Sequence, residues 1–347
     1  LNGFAFDGGG INTSADLILR SSFVQNSTAK RDGGGIYQNT SGNVTLENSF
    51  VTGNSAQDAS GGGIWALDVT IANSFITGNQ ASNFVGGGVV TLNSLNISNS
   101  AIYENIAGEG GGVSVFGGTA TITNATIVDN RASVTGGGVA VGGNGTPTLT
   151  LNNSIVYDNN AGSNAQIADN GTVNINATLV QSGFDGDNGV AALIGDPRFI
   201  DPLTNDYTFL SDSDAFNAGD NTLVVGSTDL AGFNRIAGGI VDLGAYEQRE
   251  TCFLQNADTD QRASGGEILN GTNYLQTIVD DAQPGHTIRI SGGCYANVSL
   301  AGNTLLSVDK NLTIEGGWNT DFTERDVNDT PGVLNGNGVA QVLNIAS

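Results

Sequence analysis

The stretches GGGVVTLNSLNISNSAIYEN (86–105) and GGGVSVFGGTATITNATIVDN (110–130) decide the fold. Each opens on three glycines and a valine, and each closes on an acid followed by Asn. Between those points apolar residues alternate with Thr, Ser or Asn (Leu95 and Ile97; Ala120 and Ile122), the pattern of a strand with one buried face. Working outward, Gly-Gly-Gly followed by Ile or Val recurs with its first glycine at Gly8, Gly33, Gly61, Gly86, Gly110 and Gly136. A weaker seventh copy, VNINATLV, occupies 173–180. Asn48, Asn73, Asn99, Asn124 and Asn153 share one position of the repeat, and Asn26, Asn54, Asn79, Asn105, Asn130 and Asn159 form a second set.

A unit of about 25 residues is too short to enclose a core, so successive copies must stack on one another. Stacked coils of short strands make an all-β, right-handed parallel β-helix with rungs about 4.8 Å apart. The glycine triplets belong at corners where backbone lies on backbone and a Cβ would collide. Asn at a fixed rung position stacks its amides, so Asn48, Asn73, Asn99, Asn124 and Asn153 are expected to form a structural ladder.

Composition narrows the function. The 347 residues include 52 glycines, 34 acids against 11 bases, a net charge of −23, and no methionine. An acidic chain lacks the basic face that nucleic acid or anionic lipid needs. No apolar run is long enough for a membrane span, and the first residues show no signal-peptide pattern. A core-forming apolar content with few charges also excludes the disordered acidic class.

Phe23 to Asn26, Phe50 to Asn54 and Phe75 to Asn79, each following a glycine triplet, resemble the repeats of polymorphic outer membrane proteins. More broadly, residues 1–182 are similar to the right-handed β-helices of the pectin-lyase-like group. Residues 193–248 contain GDPRF (195–199), NAGD (217–220) and VDLGAYE (241–247), and resemble the terminal segment of choice-of-anchor Q surface proteins. We read 183–248 as a turn-rich closing module. Residues 249–347 carry Leu275, Ile278, Val279 and Ala282 at helical spacing before Pro284-Gly285, which predicts one short capping helix near 274–283. In the families named, that helix and the strands after it begin a β-helix. Residues 249–347 are therefore expected to be the cap helix and opening rungs of a following unit, which fits an internal piece of a longer chain.

The resemblance implies an extracellular or cell-surface setting, where an even cysteine count points to a Cys252–Cys294 disulfide; two free thiols are the alternative. Enzyme chemistry is not expected. A polyuronate lyase needs a basic residue, yet Lys30, Lys310, Arg20, Arg31 and Arg131 are scattered. Glu104, Asp129 and Asp158 read as an acidic row on a corner and His286 as a loop residue. No cofactor is expected; calcium is the ion weighed, at Asp185 and Asp187, at Asp212 and Asp214, or at Asp258 and Asp260, against their reading as polar turns. The expected function is a structural repeat whose partners are copies of itself, joined head to tail into a fibre, stalk or surface layer. The alternative is an adhesin or carbohydrate-binding passenger that meets surface glycans through Tyr37, Trp65 and Tyr103. A polysaccharide lyase or hydrolase is the third reading.

Overall fold

The structure, a computed structural model, describes residues 3–248 apart from 41, 210–212 and 237–238. Beyond these it describes 253–264, 274–291, 293–295, 304–318, 322–323, 325, 333–335 and 341–345. The chain divides into two compact units, Leu1–Glu247 and Gln248–Ser347.

In the first unit the repeats stack as parallel rungs. Leu17, Val44, Val69, Leu95, Ala120, Leu149 and Val173 lie in one file, and Val24, Val51, Ile76, Ile102, Ile127, Val156 and Val180 in another. Apart from the half-buried Leu17, these side chains fill the interior. Strand period 2 sends the alternate Thr, Ser and Asn residues outward.

The glycine triplets take the predicted corner. The first glycine of each has φ between +63° and +70°, the left-handed region. The second and third lie under the next rung: a Cβ on Gly87 would sit 2.4 Å from the Gly111 carbonyl oxygen, and one on Gly88 2.5 Å from that of Gly112. Backbone bonds run through the corner from rung to rung, as from Gly87 N to Gly110 O at 3.1 Å.

The Asn ladder lies on a different row from the one expected. Asn48, Asn73, Asn99, Asn124 and Asn153 all have φ between +43° and +51°. They turn the chain from one wall to the next, a conformation Asn tolerates better than most residues. The Oδ1 atoms of Asn73, Asn99 and Asn124 accept no hydrogen bond, so no amide chain runs along that row. The buried ladder is the second set. Asn54 donates through Nδ2 to Asn79 Oδ1 (2.9 Å), Asn79 to Asn105 (3.0 Å), Asn105 to Asn130 (2.9 Å) and Asn130 to Asn159 (3.0 Å). Gln166 and Gln181 terminate it at the seventh rung. Asn26 does not belong to this ladder. The pairing of Phe23 with Phe50 puts Asn26 opposite Gly53, and Ser27 occupies the ladder position, its N–H on Asn54 Oδ1 at 3.0 Å. A second ladder uses the Ser after the corner residue: Ser22, Ser49 and Ser74 donate their backbone N–H to the hydroxyls of Ser49, Ser74 and Ser100.

The seventh rung is closed by side chains acting as a further strand. Asp187 Oδ2 accepts the Val173 N–H at 2.7 Å, and Asn188 bonds both the N–H and the carbonyl of Ile175. The chain between them and Leu193 crosses over the rung, with Leu193 bridged to Leu179.

The second unit holds the expected helix, Tyr274–Asp281, which packs against Phe253–Asn256, Gln261–Ser264 and Thr304–Val308. Ile278, Val279 and Ala282 are buried. Gln276 seals an edge of Thr304–Val308 by bonding the N–H and the carbonyl of Ser307 (2.7 and 2.8 Å), and Lys310 Nζ holds the carbonyls of Asp280 and Ala282 at the helix end. Parallel pairs join Thr287–Ser291 to Thr313–Trp318, Gly293–Tyr295 to Val333–Asn335, and Thr304–Val308 to Gln341–Ile345.

Candidate functional site

One wall of the solenoid is built from the short strands after the Ser ladder. Its outward file reads Phe23, Phe50, Phe75, Ala101, Thr126, Ile155, Leu179. The three phenyl rings stack at 4.5 and 4.7 Å with planes 5° apart. From the fourth rung onward large rings give way to small or aliphatic residues, and there residues 199–247 fold back onto the wall. Ile155 and Leu179 join Phe209, Ala215 and Leu243 in a second apolar cluster outside the solenoid. Ala245 N–H bonds Thr126 Oγ1 (2.9 Å) and Gly244 N–H bonds the Asn153 carbonyl (2.8 Å). A Cβ on Gly244 would meet both Thr126 Oγ1 and Ile155 Cδ1 at 2.8 Å. The LGAYE motif is therefore a docking clasp. The closing module does more than finish the last rung.

The acidic row is part of the same contact. Glu104, Asp129 and Asp158 occupy a left-handed corner, as their spacing suggested. Tyr207 donates its hydroxyl to Asp129 (2.8 Å), Asn205 reaches Glu104 (3.4 Å), and Gln181 bonds Asp158 (2.9 Å). Tyr207 also lies on Tyr103 and Phe199. Asn153 exchanges two bonds with the Asp220 backbone, and Asn99 reaches the Val225 carbonyl. Within the module Arg235 is 1% exposed, with Nη2 on the Asp242 carbonyl (2.8 Å) and 3.6 Å from Glu247. Asp229, Asp242 and Glu247 around it accept the backbone N–H groups of Phe233 and Glu247, of Asn217, and of Asp242 respectively. Burial lowers the Arg235 guanidinium pKa, against the opposing pull of these carboxylates. Sequence reasoning missed this docking, although the loss of Phe after Phe75 marks where it begins.

Burial raises the carboxyls of Asp129 and Asp229 above the ordinary range; the hydrogen bond from Tyr207 opposes this at Asp129 and backbone N–H groups oppose it at Asp229. A raised folded-state pKa means that protonation favours the native form, so stability rises as pH falls through that pKa. Asp7, Asp220 and Asp260 are shifted down by their hydrogen bonds, and their contribution is lost only once pH falls below the unfolded value of about 3.9. We expect the melting temperature to climb as pH falls from 7 toward the unfolded carboxylate value and to drop below about pH 3.9. Relief of the −23 net charge acts in the same direction. D129N should therefore flatten the climb relative to the parent; an unchanged slope would remove Asp129 from this account.

The remaining candidates are dispersed. Asp187 is engaged with the strand edge, Asp258 Oδ2 accepts the Thr287 N–H (2.8 Å), and Asp260 bonds Arg262 (3.2 Å). Asp214 Oδ2 accepts the Asp196 N–H (2.8 Å); Asp212 lies outside the described residues. Among the described residues no three His, Cys, Asp or Glu side chains gather as a metal site. Tyr37 stacks on Trp65 (5.0 Å) on another strand set, while Tyr103 lies under Tyr207, so the three aromatics form no common platform. His286 is a loop residue whose Nδ1 meets Asn256 and the Gln283 N–H. Arg20 pairs with Glu47 (2.7 Å) and Arg31 with Asp7 (2.6 Å). Cys252 and the Cys294 side chain lie outside the described residues.

Parallel in-register rungs, glycine corners and an interior amide ladder are now joined by one comparison: residues 10–182 match the family model for the right handed beta helix region. The solenoid is a right-handed parallel β-helix. No curated protein and no solved structure matches the chain. In this β-helix the matched segment ends where the Asp187–Asn188 cap begins, so residues 183–247 are an addition that seals the end and clasps the wall.

Proposed function

We propose that this β-helix is a structural, extracellular element whose modules are joined in series, in tandem or as subunits, into a fibre, stalk or surface layer. The observation that carries this reading is how the edges of each unit are finished. The seventh rung is sealed by Asp187 and Asn188, and Gln276 of the helix seals one edge in the second unit. Phe4–Ala5, Ile11–Thr13, Leu17–Arg20 and Phe23–Gln25 of the first rung pair on one side only among the described residues. Val333–Asn335 and Gln341–Ile345 do likewise.

An unpaired parallel edge templates another strand, and a contact that does not close on itself yields a linear assembly. In this reading residues 248–347 of one module lay down the rungs on which the first rung of the next module stacks. The resemblance of residues 193–248 to choice-of-anchor Q surface proteins supports the cell-surface setting. The dispersed aromatics give the carbohydrate-binding alternative less support, and the acidic row is occupied by the closing module. Moving residues 248–347 ahead of residues 1–247 tests the proposal: the rearranged chain should fold as one continuous solenoid, whereas two independent units would refute it.

A further inference from the structure

The wall on the other side of the corner Asn row is formed by Asn43–Glu47 and its copies. In the fourth to seventh rungs its outward residues fall into three files. The first is Ser94, Thr119, Thr148 and Thr172; the central one is Asn96, Thr121, Thr150 and Asn174. The third, Ser98, Thr123, Asn152 and Asn176, is largely closed on itself: Asn152 donates to Thr123 (3.2 Å) and Asn176 to Asn152 (2.9 Å). None of these positions carries a charge, a ring or a large aliphatic group. The fold does not impose that choice, because the first rung places Asp16, Ile18 and Arg20 there. The hydroxyls of Thr119, Thr121, Thr148, Thr150 and Thr172 stay exposed or half-buried and make no hydrogen bond among the described residues.

The result is a lattice of hydroxyls and methyls, repeating about 4.8 Å along the solenoid and about 6.6 Å along each strand. Buried bonds tie the same rungs together: Ala125 N–H to Ser154 Oγ (3.1 Å), Ser154 N–H to Thr178 Oγ1 (3.4 Å), and the Asn105–Asn130–Asn159 amides. A small solute needs a concave site, and an open sheet face of short side chains does not make one. A charged polymer needs opposite charge, and a sugar ring gains most from an aromatic face; these files offer neither. A Thr hydroxyl bonded to a ligand merely replaces a bond to water, so each contact contributes little net free energy. Many such contacts add up only for a ligand that repeats on the same lattice and is already immobile. Tetrahedral water is such a ligand: with O–H···O distances of about 2.75 Å, second-neighbour oxygens lie about 4.5 Å apart, within about 0.3 Å of the rung spacing.

We propose that the Thr119–Thr121, Thr148–Thr150 and Thr172–Asn174 wall is an ice-binding face, on which the two open files hold water in positions that continue an ice lattice. The inference is independent of serial assembly. The test grows ice slowly through a dilute solution of the full chain and measures the protein captured in the ice, together with crystal shape. The parent should be captured at least fivefold more than serum albumin and should facet the crystals. T121E/T150E should fall to the albumin level while keeping the parent's circular dichroism and melting temperature. T148K, in the other open file, should do the same, and T52E, on the Phe wall, should not. Exclusion of the parent from ice would overturn the proposal, as would undiminished capture of the folded T121E/T150E and T148K proteins. Retention on cellulose with exclusion from ice would assign the wall to a neutral glycan instead and would equally overturn it.

Discussion

Replacing Asn130 by alanine is expected to destabilise the first unit by about 3–5 kcal/mol, lowering its melting temperature by about 10 °C. Asn130 is 1% exposed and lies mid-ladder. Its Oδ1 accepts both the backbone N–H and the side-chain amide of Asn105 (3.1 and 2.9 Å). Its Nδ2 faces Asn159 Oδ1, the Ile102 carbonyl and the Val128 carbonyl at 2.9–3.0 Å. Truncation removes all of these and leaves the Asn105 N–H buried without its acceptor. A buried donor without a partner costs more than the bond itself is worth. N48G gives the contrast, because Asn48 is exposed, has φ +49°, and stands where glycine adopts the same backbone freely. That variant should match or slightly exceed the parent. Chemical denaturation of both variants separates the two Asn rows; equal losses would show that the corner row carries the ladder after all.

The second large effect is expected at the glycine corner. G87A places a methyl 2.4 Å from the Gly111 carbonyl oxygen and 2.6 Å from that of Ile106, both backbone atoms that cannot rotate away. The fourth and fifth rungs must separate locally to admit it. That breaks the Gly87–Gly110 and Gly88–Gly111 backbone bonds and opens the apolar interior beside them. We expect a loss above about 4 kcal/mol, read as insoluble protein or as proteolysis at residues 80–90 under conditions where the parent is intact. G145A is the control. No atom lies within 4 Å of its added methyl, and only the φ of +76° is unfavourable, at a cost of about 1 kcal/mol. A soluble, parent-like G87A would mean that the rungs do not lie on one another at this corner.

The stacked solenoid was legible because its causes are local and repeated. Period-2 alternation fixes the strands, and the triplets satisfy a corner where side chains cannot fit. The helix at Tyr274–Asp281 followed from spacing and from the Pro284-Gly285 stop in the same way. Register was the weak point. Asn26 shares the letter of Asn54, but it stands three residues after its Phe where Asn54 stands four. The Phe pairing places it on the turning corner instead, with Ser27 as the foot of the ladder. The corner Asn row and the ladder row look alike in sequence, because both need a short amide; only the sign of φ and the direction of the side chain separate them.

Docking of residues 199–247 depends on contacts such as Thr126 with Ala245, far apart in the chain, so no local pattern encodes it. Its trace is the change from Phe75 to Ala101 and Thr126 in one file, which becomes readable once the register is known. Asp187 reads in sequence as a calcium ligand or a turn residue, because an acid-rich turn has the composition of both. The strand-edge cap that it forms with Asn188 appears only when the seventh rung is in place.

The most direct measurement of the serial-module account is calorimetry of the chain rearranged to place residues 248–347 ahead of residues 1–247. The account predicts a single transition at a higher temperature than either transition of the natural order. Two transitions at the temperatures of the natural chain would contradict it.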